Sequence, residues 1–284
     1  MRYGLYLPNF GAFGDPATMV SLAVDAEANG WDGFFIWDHI AGFDNTMVDP
    51  WVALGAIAQA TQHIRIGTTV TPVPRRRPHK LARETVSVDR LSNGRLIFGV
   101  GTGEGAPEYD HLGEAAEHRI RGEMLDEALE VITNLWRGEP LDHRGAHYRA
   151  EQTTFKPAPV QQPRIPIWVG GFWPNRKPMR RAARWDGVIP LFSTRGDDLA
   201  LLRACLEYIR SHRTSDAPFD VVYTGITPGA DDDKATEIVT RYGEAGVTWW
   251  LEAIAPYRFG KGFDEPWDLE ALRERVLQGP PRSA

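Results

Sequence analysis

Two places in this 284-residue chain join ionisable side chains to the abrupt end of an apolar run. One is Asp38-His39, after Trp31-Asp-Gly-Phe-Phe-Ile-Trp37; the other is Glu104, after Leu96-Ile-Phe-Gly-Val-Gly-Thr-Gly103. An imidazole titrates near pH ~6.5, so His39 can take and return a proton at neutral pH, and a carboxylate beside it can raise or orient it. Around Glu104, glycines alternate at Gly99, Gly101, Gly103 and Gly105. Such spacing lets a flat ring approach the backbone without meeting a Cβ, with a carboxyl at hand to bond a heteroaromatic edge. A third segment, Trp168-Val-Gly-Gly171-Phe-Trp-Pro-Asn-Arg176, ends another apolar run and opens a helix. Free amides at a helix start bind anions and Arg176 adds charge, so this reads as a phosphate cradle. Arg180 and Arg184 read as cover for the outer face of that helix.

Other candidates carry less chemistry. His143 and His147 have a metal-like spacing, yet Gly145 lies between them and no third ligand is evident, so no metal site is expected. Glu252 reads as a substrate contact near the mouth. Arg75, Arg76 and Arg77 could grip an acidic tail of a ligand, or form a solvated loop or a subunit contact. From Gly101 the chain also reads Gly-x-Gly-x-x-Ala, a poor dinucleotide fingerprint because Pro107 follows where a helix should open.

The elements that must hold these residues alternate between strand and helix. The first strand spans Tyr3 to Leu7, and its helix is capped by Asp15, begins at Pro16 and stops at Gly30. Strand two is Gly33 to Trp37 with helix two from Pro50 to Ala60; strand three is Ile64 to Thr71 with helix three from Lys80 to Leu91. Strand four, Leu96 to Val100, precedes the longest helix, Arg119 to Trp136, with Ile120, Met124, Ala128, Ile132 and Leu135 as its apolar stripe. Pro157, Pro159 and Pro163 bound a polar insertion over Leu141 to Gln162, an irregular segment or a hairpin. Alternation resumes with strands at Ile165 to Val169, Gly187 to Pro190, Asp220 to Ile226 and Val247 to Ala253. Their helices run over Asn175 to Arg184, Asp197 to Ser211, Asp231 to Ala245 and Asp268 to Leu277. Eight pairs without a compositional break make residues 1–284 a single α/β domain, a (β/α)8 TIM barrel with a short insertion between strands four and five. A doubly wound sheet is the runner-up, but Pro8-Asn9-Phe10-Gly11 is a poor phosphate loop. On strand eight, Trp249 and Trp250 point to opposite sides, one ring into the barrel and one toward a helix.

Composition narrows the partners. With 42% hydrophobic and 25% charged residues the chain folds, and a net charge of −6 argues against nucleic acid as the main partner. One cysteine, Cys205, precludes an internal disulfide, and neither a signal peptide nor a membrane-spanning apolar run is evident. A cytoplasmic protein is expected, with no nucleic acid and no membrane partner.

Taken together, Gly67-Thr-Thr-Val70, Asp89-Arg-Leu-Ser-Asn-Gly-Arg95, Gly99-Val-Gly-Thr-Gly-Glu104 and Val169-Gly-Gly-Phe-Trp173 resemble the luciferase-like flavin and deazaflavin oxidoreductase superfamily. The likeness runs from Tyr3 through strand eight and implies a (β/α)8 barrel. Asp38-His39 and Gly101-Thr-Gly-Glu104 look most like the branch that uses coenzyme F-420, a 5-deazaflavin. That resemblance implies hydride transfer in which His39 takes the substrate's hydroxyl proton, Asp38 supports it and Glu104 assists at N1 of the ring. It also implies a non-prolyl cis peptide at Thr69-Val70 and cofactor contacts from Thr69, Val70, Gly101, Gly103, Gly171, Phe172, Trp173 and Arg176. The superfamily leaves two alternatives open: an FMN-dependent monooxygenase using reduced flavin and oxygen, and a non-catalytic flavin-binding protein. A homodimer through helices two and three is implied too, and Trp51, Leu54 and Ile57 on helix two could serve either the barrel or a partner.

Overall fold

The computed structural model describes residues 1–42, 45–115, 117–192, 198–229 and 233–281. Eight parallel strands close on themselves: β1 (Arg2–Leu7), β2 (Gly33–Ile36), β3 (Arg65–Thr68), β5 (Leu96–Gly101), β8 (Ile167–Trp173), β9 (Gly187–Phe192), β10 (Asp220–Gly225) and β11 (Trp249–Ala253). β1 pairs with β11 on one side and β2 on the other, and the β3–β5 and β5–β8 pairings complete the ring. The expected (β/α)8 TIM barrel is therefore the fold. A two-residue strand, β4 (Thr71–Pro72), pairs with β5 on the rim. The insertion is an antiparallel hairpin of β6 (Leu141–Arg144) and β7 (Arg149–Thr153).

Helices α1 (Pro16–Ala28), α2 (Pro50–Ala60), α3 (Pro78–Leu91), α4 (His118–Leu135), α5 (Arg176–Ala182), α6 (Asp198–Arg210), α7 (Asp233–Glu244) and α8 (Leu269–Leu277) follow the strands. Asp197 and Asp231, expected at the starts of α6 and α7, lie outside the described residues. Local chemistry sets several starts. Asp15 accepts from Thr18 N–H and Asp49 from the N–H groups of Trp51 and Val52, each just ahead of a proline at the first helical position. In α4 the buried residues are Arg121, Leu125, Ala128, Leu129, Val131, Ile132 and Leu135. Ile120 and Met124, expected among them, are only half-buried, because the inward register falls one residue on, at Arg121, whose guanidinium bonds rim carbonyls, and at Leu125. On α2, Trp51, Leu54 and Ile57 are buried and serve the barrel, whereas Val52 is exposed.

Two hydrophobic layers result. Inside the ring, Phe35, Ile97, Trp168, Ile189, Val222, Trp249 and Leu251 pack together, with Tyr6 and Val70 above them. Small residues make room for these rings: a Cβ on Gly33 would lie 2.4 Å from Phe35, and one on Gly187 2.5 Å from Trp168. Trp250 belongs to the outer layer between sheet and helices, where it stacks on Tyr223, so the two tryptophans divide as expected.

At the top of the barrel the third strand breaks. It ends at Thr68 and resumes at Thr71, and the Thr69-Val70 peptide between is cis, as the resemblance implied. Thr68 Oγ1 donates to the Gly99 carbonyl and accepts from Thr71 Oγ1, pinning both sides of the break. A Cβ on Gly99 would stand 1.9 Å from the Thr68 carbonyl oxygen, so this glycine serves strand contact, not ring approach. Gly99→Ala should destabilise the fold by about 2–3 kcal/mol in a urea melt. Gly55→Ala, in α2 with nothing within 4 Å of the added carbon, should stabilise it by about 0.5–1 kcal/mol.

Candidate active site

The strand ends open into one cavity of about 1280 Å³. Asp38 and His39 from the end of β2, Thr69 and Val70 from the break, Gly101, Gly103 and Glu104 from β5, and Gly171, Phe172 and Arg176 from β8 and α5 all line it. Segments separated by more than a hundred residues in sequence thus share one wall. Trp173 does not: its ring packs on Tyr208 of α6. Among the described residues no cluster of ligands could hold a metal ion. His143 and His147 on the hairpin approach Glu127 and Glu123 instead.

Val70 forms the floor between two strand ends. A Cβ on Gly101 would lie 2.6 Å from one of its methyl groups, and one on Gly170 2.9 Å from the other. Gly103 has φ +69 and would press a Cβ against Tyr109 and Pro72. Gly99, Gly101 and Gly103 are therefore explained first by the protein's own close contacts, and Gly105 by its φ of +90. Arg121 holds the same loop from below, donating to Gly103 O at 3.1 Å while lying over the Tyr109 ring.

His39 is oriented by a residue that sequence reasoning missed. Glu108 Oε1 accepts from His39 Nδ1 at 3.1 Å and from the backbone N–H of Ile40 at 2.7 Å. Placing the proton on Nδ1 makes Nε2 the basic nitrogen of the imidazole. Glu108 lies in a short 3-10 turn after Pro107, and the only signal in the chain was an acidic residue four positions beyond Glu104. Asp38 has other partners. Its carboxylate accepts from Arg75 Nη2 at 2.8 Å and Arg76 Nη2 at 2.7 Å, whereas among the described residues the carboxylate that His39 meets is Glu108. Arg75 also approaches Glu108 at 2.8 Å, too poorly aligned for a hydrogen bond, so that contact is electrostatic. Of the three arginines that could grip a ligand or a partner, Arg75 and Arg76 are engaged inside the protein, whereas Arg77 is exposed, as in a solvated loop.

Burial alone would push the Glu108 carboxyl up, but the His39 hydrogen bond, the Arg75 charge and the Ile40 N–H hold it below its ordinary value of 4.5. A carboxyl with a depressed folded value contributes stability above its unfolded value, and that contribution is lost as pH falls through the folded one. The melting-temperature gap between the native protein and Glu108→Gln should thus be full above pH 4.5 and narrow below it. A gap unchanged between pH 6 and pH ~3.5 would contradict this assignment.

Beyond the floor, α5 presents Arg176, Lys177 and Arg180 to the cavity, exposed, with Arg176 over the Tyr208 ring. Arg184, read from sequence as outer cover, also lines the cavity and pairs with Asp126, as does the buried Arg181. Glu104 stands exposed on the rim. Glu252, by contrast, is buried beneath the surface, paired with Arg258 and Arg275 and accepting from Thr227 N–H at 2.9 Å. It holds the β10 and β11 ends together and is no substrate contact.

Residues 1–268 match the family model described as luciferase-like monooxygenase. The chain belongs to that family. Among curated relatives, this luciferase-like chain is 33% identical over 157 residues to the oxygenase component of flavin-dependent trigonelline monooxygenase from Acinetobacter baylyi. It is 35% identical over 181 residues to the coenzyme F-420-dependent glucose-6-phosphate dehydrogenase of Nakamurella multipartita. These matches cover 55% and 61% of this chain but 43% and 51% of the relatives, so the chain spans about half the length of the curated relatives it matches. Its backbone superposes on a coenzyme F-420-dependent secondary alcohol dehydrogenase in complex with an F-420–acetone adduct, with a TM-score of 0.76. That match covers 97% of this chain and 98% of the other at 16% identity, a likeness of fold. Among the described residues of this luciferase-like protein no helix is long and apolar enough to cross a membrane.

Proposed function

We propose that this protein is an oxidoreductase that binds the deazaflavin coenzyme F-420 in the barrel mouth and exchanges hydride with a small organic substrate. The observation that carries the reading is His39 on the cavity wall, its Nδ1 fixed by buried Glu108, beside Glu104 and the Thr69-Val70 break. The residues fit a large heterocycle. Thr69 Oγ1 is buried on the wall without a protein partner, as a hydroxyl kept for a ligand would be. The cavity is also roomier than a drug-sized ligand requires. Thr69, Val70, Gly101 and Gly103 would hold the ring, Glu104 would assist at its N1 edge, and Gly171, Phe172 and Arg176 would hold the phosphate.

A bound deazaflavin supplies a two-electron hydride acceptor or donor. His39 Nε2 would take the hydroxyl proton of an alcohol substrate whose carbinol hydride passes to that acceptor, leaving a carbonyl product. Glu108 stabilises the imidazolium that results, and the Ile40 N–H and Arg75 hold Glu108 ionised in turn. Asp38 supports the site through Arg75 and Arg76.

A second reading, a monooxygenase using reduced FMN and oxygen, is favoured by the identity to the trigonelline monooxygenase component. Fluorescence titration with each cofactor separates the two. Micromolar binding of coenzyme F-420 is expected, and FMN binding with no deazaflavin binding would overturn the preference. A cytoplasmic homodimer through α2 and α3 belongs to the same proposal, and light scattering reads the oligomeric state.

A further inference from the structure

The cavity is electrostatically divided. Among the described residues its guanidinium and ammonium groups come from α4, α5 and Arg184 just after it; Arg119, Arg181 and Arg184 pair with Glu123 and Asp126, which leaves Arg176, Lys177 and Arg180, all exposed, as the cationic face. On the wall formed by the ends of β2, β3 and β5, among the described residues, the ionisable side chains are His39 and the carboxyls of Asp38, Glu104 and Glu108. Arg75 and Arg76 neutralise two of these carboxylates, yet neither guanidinium reaches the cavity. Two positive and two negative charges close on one another at the wall, so among the described residues no guanidinium or ammonium group of β2, β3 or β5 faces the cavity there. The remaining surface near His39 is Tyr6, Trp37 and Val70. Trp37 lies edge-on to His39 with ring centres 5.6 Å apart and is backed by Phe10 and Phe263. Its indole Nε1 is buried without a protein partner, one neutral donor for one neutral acceptor. Burial also pushes the hydroxyl of Tyr6 on this wall well above the ordinary phenol range, the mark of a region that disfavours negative charge.

Resting on the function proposed above, we infer that the His39 side of the cavity takes an uncharged, largely apolar organic substrate and rejects phosphorylated or carboxylated ones, sugar phosphates included. The basic α5 side is left to the anionic part of the cofactor. An anion brought against this wall would lose its hydration and meet carboxylates in place of guanidinium groups, a penalty that apolar contact does not offset. The relative named for glucose 6-phosphate therefore does not supply this chain's substrate class.

The test uses pairs that share a skeleton and differ in charge: benzyl alcohol against benzyl phosphate, and acetophenone against 4-acetylbenzoate. Each is titrated into the full chain with coenzyme F-420 or FMN present, and into the apoprotein, following tryptophan fluorescence with Trp37→Phe as the control for site. The neutral member of each pair should bind at least about 30-fold more tightly, and the signal should fall in the Trp37→Phe protein. Equal or tighter binding of the charged members, tight binding of glucose 6-phosphate, or no binding of either neutral probe would overturn the inference. Failure of both cofactors to bind would sink the functional reading alone, because the apoprotein titrations still compare the pairs.

Discussion

His39→Ala should lower kcat by about 10²–10⁴-fold while coenzyme affinity changes by less than about threefold, because the lost group moves a proton and carries no cofactor charge. The geometry makes the separation possible. His39 meets the cavity from the end of β2, whereas the cations suited to a cofactor phosphate stand across it on α5. Single-turnover hydride transfer followed at the deazaflavin absorbance band measures the first quantity, and fluorescence titration the second. An unchanged rate would remove His39 from the chemistry, and a matching loss of affinity would make it a binding residue. Glu104→Gln completes the comparison, since its exposed carboxyl can be replaced without leaving a buried charge unpaired.

Asp38→Ala should have its largest effect on stability, about 3–5 kcal/mol. Asp38 is buried between two guanidinium groups, and its removal strands Arg75 and Arg76 where water cannot reach them well. Chemical denaturation at neutral pH reads the loss. Doubling the change as Asp38→Ala with Arg76→Met should recover part of it, because the second substitution removes one stranded charge. Were Asp38→Ala as stable as the native protein but inactive, Asp38 would belong with His39 in proton transfer and not with the arginines in its support.

The barrel was legible because eight strand and helix periods alternate with a single insertion between the fourth and fifth, and because prolines and aspartates mark several starts where the backbone requires them. The convergence of Asp38-His39, Val70 and Glu104 was legible for a topological reason: parallel strands deliver their ends to one face. What stood outside reach was pairing. Nothing in Asp38-His39 as adjacent letters says that strand geometry sends the carboxylate toward Arg75 and the imidazole toward Glu108. The same limit hid Glu252, whose position near the rim of β11 suggested a ligand until Arg258 and Arg275 appeared beside it. Around α5, Arg180 and Arg184 lie four positions apart and could face either way, and a seven-residue helix is too short for a periodic stripe to decide.

Val70 reaches its place only because two other strands lack a side chain there, Gly101 on one flank and Gly170 on the other. Three codons far apart in the gene therefore encode a single fitted joint. Randomising either glycine alone will mostly yield broken proteins, whatever the newcomer could offer to a ligand. Trimming Val70 first would open the neighbouring positions to substitution, so the order of mutational steps, more than their number, governs which new cavity floors this lineage or a protein engineer can reach.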